Sequence, residues 1–261
     1  MFNSLCLRLT GLSVLLLVAS CDGPAGGEKQ AQPNLKADFV AAADALIAKT
    51  GAPGEKEVMP AANDPAVRAF EAQSGKALAA LGTDALPIEG FESFDALCGK
   101  SANIVGAYAL AGTKGTAGAA QQQKMESNLV KNFDAVFTPL LFSARCNATH
   151  MAYFEGLMDG SDPSKATAAK QVRNGLFGQV QGLLQMASDD TMDAGRRQRI
   201  VDTLANDGSQ FAVGLSPTQR KDISTQAQQV GRTMPEVLRV KLEKLRTELA
   251  QAPCGKICSS T

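Results

Sequence analysis

The 261-residue chain has no tryptophan, two tyrosines and one histidine. Sugar-binding clefts stack their rings on Trp or Tyr faces, so this shortage argues against a carbohydrate site. Any Ser-His-Asp triad would have to run through His150, and nothing in the sequence brings a serine to it. A basic excess is missing as well. Lys and Arg total 26 against 26 Asp and Glu, which argues against a nucleic-acid partner. The phosphate-binding P-loop, the dinucleotide fingerprint, the zincin motif and the G-x-S-x-G elbow are all absent. Phenylalanine, at 11 residues, is the one aromatic in supply, and it suits a core more than a ligand platform.

Long apolar runs are also missing. The main one, Leu9 to Ala19, is interrupted by Thr10, Gly11 and Ser13 and is too short to cross a bilayer as a helix. It follows Arg8, the only charge in the first 20 residues, and has the form of a signal-peptide apolar region. It ends in Val18-Ala19-Ser20-Cys21, which resembles the lipobox of bacterial lipoproteins: a branched residue and two small ones before a cysteine. The resemblance implies cleavage before Cys21 and a diacylglyceryl group on its thiol. Two or three acyl chains give stable anchoring. The rival reading is ordinary signal-peptide cleavage after Ser20, since Val18 and Ser20 also fit a small-residue site. Both readings put the chain outside the cytoplasm. Asp22 resembles the inner-membrane retention signal of enteric-type sorting, so a periplasm-facing inner-membrane address is favoured over the outer membrane.

Without the leader the chain keeps 25 basic and 26 acidic residues, a net charge of 25 − 26 = −1. Residues 21–160 carry −5 and residues 161–261 carry +4, which is read as ordinary surface variation. Residues 21–34 are rich in Gly, Pro, Gln and Ala and read as a flexible tether. From 35 to 261 the apolar spacing is helical almost throughout, and no long stretch alternates as a strand would.

Asn34 is placed to cap a first helix, with Leu35, Phe39, Ala42, Ala43, Leu46 and Ile47 as its stripe and Gly51 as its end. Asp64-Pro65 opens a second, carrying Val67, Phe70, Ser74, Leu78 and Leu81. A third spans about Phe94 to Ala111, and Gly112 to Gly118 is a weakly structured link. A fourth carries Met125, Leu129, Phe133, Val136 and Phe137, after which Thr138-Pro139 starts a new helix or kinks a long one. Asp162-Pro163 and Ser216-Pro217 open later helices, and the last carries Leu238, Leu242, Leu245 and Leu249 in heptad register. The expectation is an all-α bundle of about nine helices, with one bundle or two left open.

With Cys6 in the leader and Cys21 lipidated, Cys98, Cys146, Cys254 and Cys258 remain. An even count in an oxidising compartment favours disulfides, and four cysteines allow three pairings. The preferred pairing is Cys98–Cys146 with Cys254–Cys258. It follows if the third and fourth helices are antiparallel and the chain turns sharply at Thr138-Pro139. Pro253 and Gly255 keep the second pair off a regular helix, whose geometry would forbid the bridge. Redox oxidoreductases usually show two residues between their cysteines beside a βαβ pattern; here there are three, and no strand. Cys146 and His150 form an i, i+4 pair able to reach one metal, with Cys98 as a third ligand. The favoured reading of His150 is a half-buried ring near Tyr153 and Phe154, and no metal or cofactor is expected.

Acidic residues cluster at Glu89, Glu92 and Asp95 and at Asp189, Asp190 and Asp193, where helix N-termini explain them without catalysis. Arg196, Arg197 and Arg199, echoed by Arg239, Lys241, Lys244 and Arg246, read as solvated helix faces. Pairs at i, i+4 are expected between Asp193 and Arg197, Arg239 and Glu243, and Lys244 and Glu248. Leu215-Ser216-Pro217-Thr218-Gln219 resembles the LTxxQ motif of small periplasmic stress chaperones, with Ser in place of Thr. That resemblance implies a helical factor that binds unfolding proteins or metals. The leading expectation is a lipid-anchored envelope protein whose helical domain binds another protein or the envelope, with no catalytic activity evident. The alternatives are a holdase-like or metal-responsive factor, and an enzyme with an unfamiliar helical site.

Overall fold

The computed structural model describes residues 33–80, 91–157 and 163–259. The leader, Cys21 and residues 22–32 of the expected tether lie outside them, as do Leu81, Glu89 and Asp162; Pro33 and Asn34, expected to end the tether, already belong to the first helix. The described chain is all-α: α1 (Pro33–Thr50), α2 (Pro65–Ala80), α3 (Phe91–Ala109), α4 (Gly118–Lys131), α5 (Phe133–Leu157), α6 (Pro163–Ser188), α7 (Ala194–Asn206), α8 (Gly208–Gly214), α9 (Pro217–Gly231), α10 (Glu236–Gln251) and a closing single turn, α11 (Lys256–Ser259). It falls into two compact units, one up to Thr149 and one from His150 onward, with α5 running through the boundary.

In the first unit, α1 buries Phe39, Ala43, Leu46 and Thr50, one face at helical spacing. Asn34 lies inside its first turn, because the helix already begins at Pro33, whose missing N–H suits a first helical position. Gly51, at φ +70°, ends the helix by donating its N–H to the Ile47 carbonyl at 2.8 Å. Phe39 meets Phe70 of α2 and Phe142 of α5, each at 5.3 Å between ring centroids, and Phe94 of α3 lies 6.2 Å from Phe142. One helical turn further along each chain, Cys98 of α3 is bonded to Cys146 of α5. Both contacts advance by four residues on both helices, so α3 and α5 run side by side in the same direction.

The chain reverses twice to achieve this. The break that the sequence suggests at Thr138-Pro139 falls instead at Asn132, whose backbone (φ −104°, ψ 18°) leaves the helical region between α4 and α5. Pro139 stays inside α5, with Ala135, Val136, Phe137, Leu141 and Phe142 buried around it. That packing offsets the one backbone hydrogen bond the proline removes. Thr138 therefore caps nothing; its hydroxyl donates to Glu71 Oε1 at 3.0 Å. Asp64 does cap α2, accepting from the Ala66 N–H at 2.8 Å, and pairs with Lys49 at 2.7 Å. Tyr108 is buried, and its hydroxyl donates to the Pro60 carbonyl at 2.8 Å, tying the loop before α2 to α3.

In the second unit, α10 packs against α7, α8 and α9, and α6 against α7 and α9. Leu238, Leu242, Leu245 and Leu249 bury the predicted heptad face of α10 against Ile223, Ala227 and Val230 of α9 and Ile200, Val201 and Leu204 of α7. The short α8, which the apolar spacing did not announce, buries Phe211 and Ala212. Gly214 at its end is required by space, since a Cβ there would stand 2.6 Å from Met151 Cγ. Among the described residues no helix is long and apolar enough to cross a membrane.

Two outcomes are expected. Replacing Cys98 and Cys146 together by alanine opens a loop with a sequence separation of 48. Chemical denaturation is expected to show a loss of about 4 kcal/mol on the chain-entropy model. The hydrogen bond and charge of Lys49 hold the Asp64 carboxyl below the usual carboxylate range, with the Ala66 N–H adding to the effect. A depressed folded-state pKa contributes stability that is present above the unfolded value, about 4, and lost as pH falls through the folded value. Asp64→Asn is therefore expected to be less stable than the parent at neutral pH, with the gap closing below pH 4 in a series of thermal melts. A gap independent of pH would show that the charge contributes nothing.

Candidate functional site

The structure uses up the metal pair. Cys146 Sγ is bonded to Cys98, so it is no ligand for a metal shared with His150. The bond is the pairing preferred from the sequence, and it takes both thiols from the ligand set that the i, i+4 spacing offered as the alternative. His150 is half-buried at the start of the second unit, and Tyr153 and Phe154 beyond it meet edge to face at 6.2 Å. Among the described residues no three His, Cys, Asp or Glu side chains converge as a metal-binding group.

The acidic cluster at Asp189, Asp190 and Asp193 is divided among local tasks. Asp189 accepts from the Thr191 N–H at 2.9 Å and from the Thr191 hydroxyl at 2.7 Å, closing a turn. Asp193 caps α7 by accepting from the Arg196 N–H at 2.9 Å. In the other cluster, Asp95 is exposed, Glu92 lies in the first turn of α3, and Glu89 is outside the described residues. Two of the three expected i, i+4 ion pairs form at i, i+3 spacing with other partners. Asp193 pairs with Arg196 at 3.1 Å instead of Arg197, and Arg239 pairs with Glu236 instead of Glu243, which pairs with Arg246 at 2.6 Å. The i, i+3 neighbour is as close on a helix surface as the i+4 one, and side-chain direction chose it. Lys244 meets Glu248 at 3.6 Å, as expected. Exposed large apolar side chains, Val58 and Val130 in the first unit and Val237 and Val240 in the second, stand among charged neighbours.

The LTxxQ-like stretch is a capping box. Ser216 Oγ accepts from the Gln219 N–H at 3.3 Å, and Gln219 Oε1 accepts from the Ser216 N–H at 3.0 Å. Pro217 occupies the first helical position of α9, and Leu215 before the cap is fully buried. Each conspicuous residue of the stretch thus serves the start of a helix.

Several polar groups converge at the C-terminal turn. Arg220, buried on the inner face of α9, donates Nε to the Leu215 carbonyl at 3.0 Å. Its other nitrogens donate to the Ala252 carbonyl at 2.6 Å and the Pro253 carbonyl at 3.1 Å. Burial lowers its pKa. Cys254 and Cys258 are bridged across this turn with their Cα atoms 5.2 Å apart. Glu155 Oε1 accepts from the Lys256 N–H at 2.6 Å. Gly255 leaves room for that carboxylate, since a Cβ there would lie 2.1 Å from Glu155 Oε1 and push it aside. Arg220 had a sequence signal: it shares the spacing of Ile223, Ala227 and Val230, so a charge falls on an apolar stripe. Glu155 had none, because its role depends on a turn 101 residues away.

The first unit carries an open cleft of about 460 Å³ beside the glycine-rich link, lined by Pro53, Glu55, Leu110, Thr113, Lys114 and Gln121 among others. Its hydroxyls and carboxylate serve the loops themselves. Thr113 donates to the Leu110 carbonyl at 2.8 Å, Thr116 to the Thr113 carbonyl at 2.6 Å, and Glu55 accepts from the Ala52 N–H at 2.7 Å. The geometry builds two loops against each other and aims no reactive pair into the opening. No protein-family model, curated protein or solved structure matches the chain.

Removing the cap hydroxyl with Ser216→Ala is expected to cost about 1 kcal/mol in urea denaturation. A double-mutant cycle with Gln219→Ala is expected to show coupling between the two, and strict additivity would mean that the box does not act as a unit.

Proposed function

We propose that the chain is a membrane-anchored envelope lipoprotein whose helical part binds another envelope protein, without catalysis of its own. The observation that carries this reading is the leader: one charge, a short apolar run and Val18-Ala19-Ser20-Cys21. Two disulfides support the compartment, since such bonds form and persist where the surroundings are oxidising. The residues that invited a chemical reading have structural tasks instead: Cys146 in a bridge, Asp189 and Asp193 in a turn and a cap, Ser216 and Gln219 in a capping box. The helical surface that remains is mixed in charge, which suits contact with a protein better than with nucleic acid.

The intact mass of the native protein is expected to show a diacyl or triacyl addition on Cys21. Cys21→Ala is expected to move the protein from the membrane fraction to the soluble one. An unmodified N-terminus, or a variant that stays in the membrane, would reject the anchor. Crosslinking in intact cells is expected to trap one envelope protein reproducibly, and to trap it less when Cys21 is replaced. Failure to recover any envelope partner would reject the binding role.

A further inference from the structure

We propose that Cys254–Cys258 is a thiol–disulfide exchange site, opened when an external dithiol attacks Cys254, whereas Cys98–Cys146 is inert. The two bridges differ in access. Cys98 and Cys146 are each 4 % exposed, between two long helices. In the second bridge Cys258 is 3 % exposed, but Cys254 is on the surface, between α10 and the final turn. Exchange needs a thiolate to reach one sulfur while the other departs, so access decides which bridge reacts and at which end.

The surroundings suit that step. The Arg220 guanidinium is bonded to the carbonyls of the two residues just before Cys254, and exposed Lys256 follows two residues after it. Both cations favour an approaching thiolate, and the Glu155 carboxylate, bound to the Lys256 N–H, opposes them. In the reaction the dithiol's thiolate bonds to Cys254 Sγ, and the Cys254–Cys258 bond breaks with its electron pair passing to Cys258 Sγ, which takes up a proton. The dithiol's second thiol then displaces Cys254, which is protonated in turn. The dithiol leaves as a disulfide, and two electrons have moved to the protein. The partner is thus a small or protein-borne dithiol, and the chain is its substrate. Arg220 and Glu155 still hold the opened turn, and with only three residues between the thiols the bridge re-forms readily on oxidation.

The folded full chain is titrated with dithiothreitol, free thiols are alkylated, and each cysteine is read by peptide mapping. Cys254 and Cys258 are expected to label together at reductant concentrations at least about tenfold below those that expose Cys98 and Cys146. Coincident midpoints, or the reverse order, would overturn the proposal. The point of attack is tested with Cys258→Ser, which leaves Cys254 as a thiol, and Cys254→Ser, which leaves Cys258. An aromatic disulfide reagent is expected to react at least about tenfold faster with Cys254 than with Cys258. Equal rates would overturn attack at Cys254.

Discussion

Two rungs between α3 and α5 set the arrangement of the first unit: the Phe94–Phe142 ring contact and, one turn on, the Cys98–Cys146 bond. Helices that lie side by side and run the same way cannot be joined by a tight turn, so an element must carry the chain back between them. That element is α4. It buries only Met125 and Leu129, far less than its neighbours, and polar contacts tie it to the end of α3. Asn128 Nδ2 donates to the carbonyls of Ala109 and Ala111 at 2.9 and 2.8 Å, satisfying acceptors that the end of α3 leaves open. Gly112 turns at φ +59° beneath Lys124, which bonds to its carbonyl. The return helix therefore doubles as the cap of the helix before it.

The helical stripes were legible because burial is a property of spacing. Phe39, Ala43 and Leu46, and Leu238 through Leu249, follow the 3.6-residue period and are buried as the pattern requires. Breaks were less legible because they depend on what the chain packs against. Thr138-Pro139 has the same local grammar as Asp64-Pro65 and Ser216-Pro217, and only the latter two start helices. At Pro139 the aromatic core around Phe142 keeps α5 continuous, and the chain turns at Asn132, a residue with no proline or glycine to announce it. Buried arginines were missed for a related reason. Arg145, Arg173 and Arg220 stand on apolar stripes, where a sequence reading assigns charge to the surface. Arg220 is tolerated because three carbonyls from two segments receive its protons.

The candidate site was legible in its residues but not in their roles. Cys146 and His150 have metal-ligand spacing, yet the bond from Cys146 goes across to α3 and not along α5. Carboxylates close in sequence look like acid–base pairs, yet Asp189 and Asp193 each serve a different backbone N–H. Ser216 and Gln219 are two letters of a chaperone-like motif apart from their context, and in context they are a reciprocal pair of hydrogen bonds. In the last two cases the local geometry of a helix start or a turn needs the same residue types that chemistry would.

The two disulfides do different work, and loop length shows why. A bridge stabilises chiefly by restricting the unfolded chain, and the effect grows with the logarithm of the loop it closes. Across a separation of 48 residues that is about 4 kcal/mol, and across 4 it is about 2 kcal/mol. The short bridge is also not the sole tie of its turn, since Arg220 and Glu155 hold the same turn by hydrogen bonds. The leucines of α10 are buried against α7 and α9 without its help. The short bridge restricts the unfolded chain less and has Cys254 at the surface, so of the two it is the one whose opening the fold is expected to survive.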